Sequence, residues 1–325
     1  MSMEGGRVLV ALLCLVATAA GCSEGPEARF GGVAQAGGRA AHRSILQSVV
    51  ERVSGGKDAQ KGDFPWMARI DLPQGSCGGI LVTPSQVLTA AHCLEPFDRD
   101  DVLDDARVSI GQGDSGSCRS CETFRIDSYT LHPGYKPEGF NPASGAAVRK
   151  DLAIIELDDS SDVRPAQIAK MNPRTSDKGI VLGWGETETE SESDTLKYSP
   201  LRVVPDSECD GFKPKNYFDS KSSICTAPAF SNPGPTGVYT SACEGDSGGP
   251  LMASDRKATV WGIVSYSIRR SASSKCGDMA HTVFTSLPDS FDWLMKNLDL
   301  GDDDDDDDDR DYDSDSDDDD DDDDR

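Results

Sequence analysis

Between Val53 and Leu298 the chain is cut into short apolar runs by clusters of Gly, Pro, Asp and Ser, and this limits its folds more than any other feature. The runs Gly79-Ile80-Leu81-Val82, Ala153-Ile154-Ile155-Glu156-Leu157, Gly179-Ile180-Val181-Leu182 and Thr259-Val260-Trp261-Gly262-Ile263-Val264 are each four to six residues long. That is the length of a strand, not of a helix. Many short strands with few helical stretches predict an all-β barrel or sandwich. One helix is legible near the end. Phe291, Leu294, Met295 and Leu298 fall at i, i+3, i+4 and i+7, with Asp289 as the expected N-cap.

The flanks differ in kind from this globular stretch. Arg7 precedes an apolar run, Val8 to Ala20, with small residues at its end. The run is too short to span a bilayer comfortably and fits a secretory signal over residues 1–21. Residues 22–52 are Gly-, Ala- and polar-rich with little apolar periodicity, and read as a pro-segment. Residues 299–325 form an acidic tail whose contiguous carboxylates repel and bury nothing, so disorder is expected there. Weak cation binding or attraction to a basic partner is the sharper alternative. The last 25 residues hold nineteen Asp and two Arg, so −17 of the net charge of −26 sits there and about −9 on the rest. With no basic patch or stripe, a nucleic-acid partner is excluded.

Of ten cysteines, Cys14 lies in the signal and Cys22 at its edge. The remaining eight are Cys77, Cys93, Cys118, Cys121, Cys209, Cys225, Cys243 and Cys276. An even number in an exported chain predicts four disulfides, and composition alone does not assign the pairs.

Three motifs carry chemistry. In Gly245-Asp246-Ser247-Gly248-Gly249-Pro250, three glycines around one serine allow a tight uncrowded turn that can aim backbone N–H groups at one point, as a developing oxyanion requires. Leu88-Thr89-Ala90-Ala91-His92-Cys93 follows a strand-like run, and Asp151-Leu152-Ala153-Ile154-Ile155 puts an acid at the head of an apolar strand. On these motifs, in this order, residues 53–298 resemble the trypsin and chymotrypsin family of serine proteases.

The resemblance implies two six-stranded antiparallel β-barrels with a C-terminal helix and a site between the barrels, no cofactor and no metal. It implies Ser247 as nucleophile, His92 as general base, Asp151 as the acid that orients it, and Gly245 and Ser247 N–H groups as the oxyanion hole. Ser265, in Ile263-Val264-Ser265-Tyr266, stands where the family supports the triad acid. Glu51-Arg52-Val53-Ser54-Gly55-Gly56 looks like the activation junction. Cleavage after Arg52 would free the Val53 amine to pair with Asp246, although Ser54 departs from the usual apolar residue. The pocket floor falls on uncharged Ser241, and Ser267 and Thr282 fall on wall positions that wide pockets leave to Gly, which is similar to elastases. The expectation is cleavage after small residues, with a small aromatic-accepting pocket as runner-up. A pocket that disfavours Arg calls for a separate trypsin-like activating protease.

The resemblance also suggests the pairs Cys77–Cys93, Cys209–Cys225 and Cys243–Cys276. For Cys118 and Cys121 a local loop staple is preferred over zinc or redox chemistry. Gln112 stands where a calcium-binding acid is expected, although Glu122 remains. Ala19-Ala20-Gly21-Cys22 partly resembles a bacterial lipoprotein box without its Leu, so lipid anchoring through Cys22 is the alternative to plain secretion and the only route to a membrane. His42, His132 and His281 are assigned no chemistry. The expected product is a secreted, monomeric serine endopeptidase zymogen acting on proteins or peptides. The rival classes are a non-catalytic homologue that binds partners and a cation-buffering protein.

Overall fold

The computed structural model describes residues 56–111, 121–137, 146–187, 191–211, 217–230, 238–254, 258–271 and 273–300. The signal, the pro-segment, Arg52 and Val53, Gln112, Cys118 and the acidic tail from residue 301 on lie outside the described residues.

A two-residue strand, β1 (Lys57–Asp58), opens the described chain. The first sheet then builds from hairpins. β2 (Met67–Leu72) pairs with β3 (Gly75–Thr83), which pairs with β4 (Gln86–Thr89), and β5 (Arg107–Ile110) returns along β2. β6 (Glu122–Phe124), β7 (Ile126–Leu131) and β8 (Ala153–Leu157) complete the order β6-β5-β2-β3-β4-β8-β7. Only Arg125 separates β6 from β7, so the two edges of this sheet are consecutive in the chain and the sheet curls round on itself.

The second sheet is a closed barrel. It comprises β10 (Lys178–Gly183), β11 (Lys197–Val203), β12 (Ser223–Pro228), β13 (Pro250–Ala253), β14 (Thr259–Arg269) and β15 (Met279–Ser286). They run β11-β10-β13-β14-β15-β12, and β12 pairs back onto β11. β1 adds to β11, and β9 (Gln167–Ile168) to β14. Closure removes sheet edges. The expected all-β fold holds: the second sheet is a closed barrel of six strands, while the first is a curled sheet of seven strands instead of a second six-stranded barrel, and all four strand runs read from sequence lie inside β3, β8, β10 and β14.

Burial explains which strands were legible. β8 is buried at four of its five positions, so it reads as a plain apolar run. β11 alternates inside and outside with period two, yet one of its inward residues is Lys197. The Lys197 ammonium is paired with Asp58, which ties β1 down. β15 is buried along its whole length although it carries His281, Thr282, Thr285 and Ser286. Polar residues are tolerated there because they find partners.

The terminal helix α3 spans Phe291–Asn297 and buries Leu294 and Leu298. Its cap differs from expectation. A 3₁₀ turn, Pro288–Ser290, precedes it and puts Ser290 at the cap position. The Asp289 carboxylate accepts instead from Asn172 Nδ2 at 3.0 Å. At the other end, Gln86 of β4 donates to the Asn297 carbonyl (3.0 Å) and accepts from the Asp299 N–H (2.7 Å). Among the described residues no helix is long and apolar enough to cross a membrane.

The three disulfides Cys77–Cys93, Cys209–Cys225 and Cys243–Cys276 are formed.

Candidate active site

His92 sits in a 3₁₀ turn, Ala91–Cys93, directly after β4, and the Cys77–Cys93 bridge fastens that turn to β3. Asp151 immediately precedes the apolar stretch that becomes β8 and is fully buried. Ser265 lies mid-strand in β14. Side chains from both sheets thus meet at one seam.

The contacts there form a directed chain. The Ser265 hydroxyl donates to Asp151 Oδ2 at 2.6 Å, and His92 Nδ1 donates to the same oxygen at 2.7 Å. The His92 backbone N–H donates to Asp151 Oδ1 at 2.9 Å, and Thr285 Oγ1 to the Asp151 carbonyl at 2.9 Å. A buried carboxylate needs such donors, because desolvation otherwise disfavours its charge. With Nδ1 holding the proton, Nε2 is the acceptor. Burial works to lower the His92 pKa, but the charge of Asp151 and its hydrogen bond outweigh it, and the imidazole ends above the ordinary histidine value.

Ser247 belongs to the same seam. Its carbonyl accepts from the Gly78 N–H at 2.8 Å, which joins it to β3. Gly248, at φ +80°, lets this turn press against the first sheet, since a Cβ there would come within 2.2 Å of Thr89 Oγ1 and 2.3 Å of the Gly78 carbonyl. Gly245, at φ +88°, permits the turn at the other end. Neither the Gly245 nor the Ser247 N–H donates to an acceptor among the described residues.

Beneath this turn lies Asp246, also fully buried. Its Oδ1 accepts from the Gly185 N–H at 2.9 Å and its Oδ2 from the Cys243 N–H at 2.8 Å. Burial pushes its pKa up to about 6 against these two hydrogen bonds. Gly183 and Gly185 make its room, because a Cβ on either would lie 2.1 or 2.7 Å from Asp246 Oδ1.

A cavity of about 460 Å³ opens beside Ser247. Val264, Tyr266, Ser267 and Met279 line it, with Glu186 and Glu244 among its charged lining residues. Of the three positions expected to shape the pocket, Ser267 lines this cavity, while Ser241 and Thr282 are 1% exposed. Ser267 and Thr282 face each other across β14 and β15, their hydroxyls 3.5 Å apart. Both are fixed on Ala242: Ser267 Oγ donates to its carbonyl (3.0 Å) and Thr282 Oγ1 accepts from its N–H (3.2 Å). The Ser241 hydroxyl has no hydrogen-bond partner among the described residues.

Other residues singled out from sequence take structural places. The Glu122 carboxylate is occupied by the Ser161 hydroxyl and, at 3.2 Å, the Asp162 N–H. His132 accepts from the Gly134 N–H at 2.9 Å and packs on Trp293 with ring centroids 4.6 Å apart. Burial and then Lys150 lower its pKa to about 4. His281 is buried, and its Nε2 lies 3.2 Å from Glu208. Glu186, Cys243 and Cys276 cluster closely enough to suggest metal ligands, but both sulfurs are spent in a disulfide. Thr285 and the glycines under Asp246 escaped sequence reading. Thr285 acts through a hydroxyl aimed at a backbone carbonyl 134 residues away and the glycines through the room they leave, and neither makes a local motif.

The protein-family model described as Trypsin matches residues 53–294. Among curated relatives, the CLIP domain-containing serine protease HP8 of Bombyx mori is 29% identical over 77% of this chain and 70% of its own. Coagulation factor XII of Cavia porcellus is 30% identical over 77% of this chain but only 41% of its own length, so this chain spans well under half of that relative. Among solved structures, neuropsin, a serine protease expressed in the limbic system of mouse brain, superposes with a TM-score of 0.59 at 25% identity, covering 74% of this chain and 97% of neuropsin.

Proposed function

Because this chain belongs to the trypsin family and its matched region is a serine endopeptidase domain, we propose that His92, Asp151 and Ser247 are its catalytic triad, within a secreted zymogen that is activated by cleavage after Arg52. The observation that carries the triad is the hydrogen-bonded chain Ser265–Asp151–His92, which leaves Nε2 as a base.

His92 Nε2 takes the Ser247 proton as Oγ attacks the scissile carbonyl. The tetrahedral oxyanion is held by the N–H groups of Gly245 and Ser247. The imidazolium, stabilised by Asp151, gives its proton to the leaving amine, and water repeats the cycle on the acyl-enzyme. Asp151 keeps its negative charge throughout.

The activation reading is supported by Asp246. Its carboxylate carries two hydrogen bonds from backbone amides, and no cation is paired with it among the described residues. A buried charge of this kind gains most from an ammonium group. The Val53 amine supplies it after cleavage, and β1, pinned by Lys197, begins four residues later.

The pocket reading is supported by uncharged Ser241 and by Ser267, a wall position whose side chain lines the cavity and is backed by Thr282 across β14 and β15. They favour small residues before the cut bond over Arg or Lys, and a separate activating protease with trypsin-like preference follows from that. The test is a peptide-library cleavage profile of protein activated with trypsin, which is then removed, beside Ser247→Ala. Cleavage after Ala, Val, Ser or Thr, lost in the variant, is expected. Cleavage after Phe or Tyr overturns the pocket alone. No cleavage despite processing at Arg52 overturns the catalytic reading and favours a non-catalytic binding protein.

A further inference from the structure

A strained peptide precedes the triad acid. Lys150 has φ 48°, in the left-handed region that non-glycine side chains enter at a cost. Such a conformation persists only where its surroundings over-determine it. Here they do. Lys150 Nζ donates to the Asp289 carbonyl at 2.5 Å and to Ser290 Oγ at 3.2 Å, both in the turn before α3. Its stem lies against Gly134, where a Cβ would be 3.2 Å from Lys150 Cγ. One residue on, Thr285 at the end of β15 holds the Asp151 carbonyl. Residues 150 and 151 are therefore pinned twice to the same corner between β15 and α3. That corner is itself braced, since Ser286 Oγ donates to Asn172 Oδ1 (2.7 Å) and accepts from the Asp289 N–H (3.1 Å). The charged and titratable neighbours of the ammonium are Asp289, Asp219 and His132.

We propose that Lys150 is a positioning residue of the triad: its ammonium, latched onto Asp289 and Ser290, holds the left-handed peptide that aims the Asp151 carboxylate at His92. This rests on the roles assigned above to Asp151 and His92. A small misdirection of a catalytic group is costly, because rate depends steeply on orientation.

Lys150→Met keeps the stem and removes the latch. It is expected to lower kcat about tenfold with KM unchanged. It is also expected to lower the His92 imidazole pKa, followed by NMR in a Ser247→Ala background. Lys150→Arg restores both readouts. Lys150→Gly relaxes the backbone without reaching the corner and stays as impaired as the methionine variant. Unchanged kcat and imidazole titration in Lys150→Met, even with a lower Tm, overturn the proposal, and so does full rescue by glycine. If Lys150→Met does not fold, Ser290→Ala asks the same question from the acceptor side: a partial loss with the same imidazole shift supports the latch, and no change overturns it. The imidazole titration needs no turnover. A wild-type protein that hydrolyses nothing therefore counts against the triad while this test stays readable.

Discussion

Two fully buried carboxylates sit on either side of the Ser247 turn, and the chain treats them differently. Asp151 is met by donors that are always present: the Ser265 hydroxyl, the His92 imidazole and the His92 backbone amide. Asp246 is met by two backbone amides, and its pKa is pushed up to about 6. The first environment is completed by donors that the fold itself supplies. The second holds a charge only at a cost, which the activation proposed above would relieve by bringing in a cation. Burial alone therefore does not say what a carboxylate does; the identity and timing of its donors do.

The sharpest way to break this contrast is Asp151→Asn. With the fold retained, kcat is expected to fall about 10⁴-fold, the loss that the same change causes in the family's reference triad. The acid limb of kcat/KM, which the Asp151 charge holds above the ordinary histidine range, should move to lower pH. A variant that merely unfolds would put Asp151 in a structural role and collapse the distinction.

Asp246→Asn tests the other side. In protein cut after Arg52 it is expected to cost about 10²–10³-fold in kcat, comparable to losing an oxyanion donor, because the Val53 ammonium loses its counter-charge. Equal activity of cut Asp246→Asn and wild type would remove Asp246 from the switch.

The pH dependence of folding separates the two states of Asp246. In uncut protein its folded pKa, about 6, lies above the ordinary aspartate value of 3.8. The native state then binds the proton more tightly. The associated stability is fully present below pH 3.8 and is lost as pH rises through about 6, an effect of about 3 kcal/mol. Denaturant melts of uncut Arg52→Gln should show this decline, and melts of cut wild type, with the ammonium in place, should not. Parallel profiles would sink the pairing.

The smallest effect expected is from Ser265→Ala. It removes one of several donors to Asp151 and should cost about 1 kcal/mol, read as a several-fold drop in kcat. A larger loss would make the Asp151 environment less self-sufficient than its contacts indicate.

Much of this contrast was legible in the residues, and the reasons are specific. His92, Asp151 and Ser247 stand inside motifs whose neighbours are fixed by backbone needs, as the glycines around Ser247 are, so their order carries through to the seam. β8 was legible because a strand buried along nearly all its length reads as a plain apolar run. β15 was not, because its buried threonines, serine and histidine look like loop chemistry until their partners on distant strands are known. The helices α1 (Arg99–Asp105) and α2 (Asp206–Asp210) were also missed. Each buries a single residue, Val102 or Cys209, and one apolar residue makes no periodic stripe. Lys150 was passed over because a lysine in a polar loop signals nothing; its role depends on a positive φ and on a turn 139 residues away.

The clasp between Gln86 and the end of α3 joins a strand made early to residues made late. Gln86 begins the strand that delivers His92, and its side chain bonds not only Thr83 and Glu156 but also Asn297 and Asp299, more than 200 residues later. Contacts of such long range form late, because the loop-closure entropy must be met before they contribute. A chain emerging from its N-terminus therefore has the histidine strand long before the group that locks it. The histidine strand and the terminal helix, far apart in the chain, are thus completed together, when the last residues of the domain arrive.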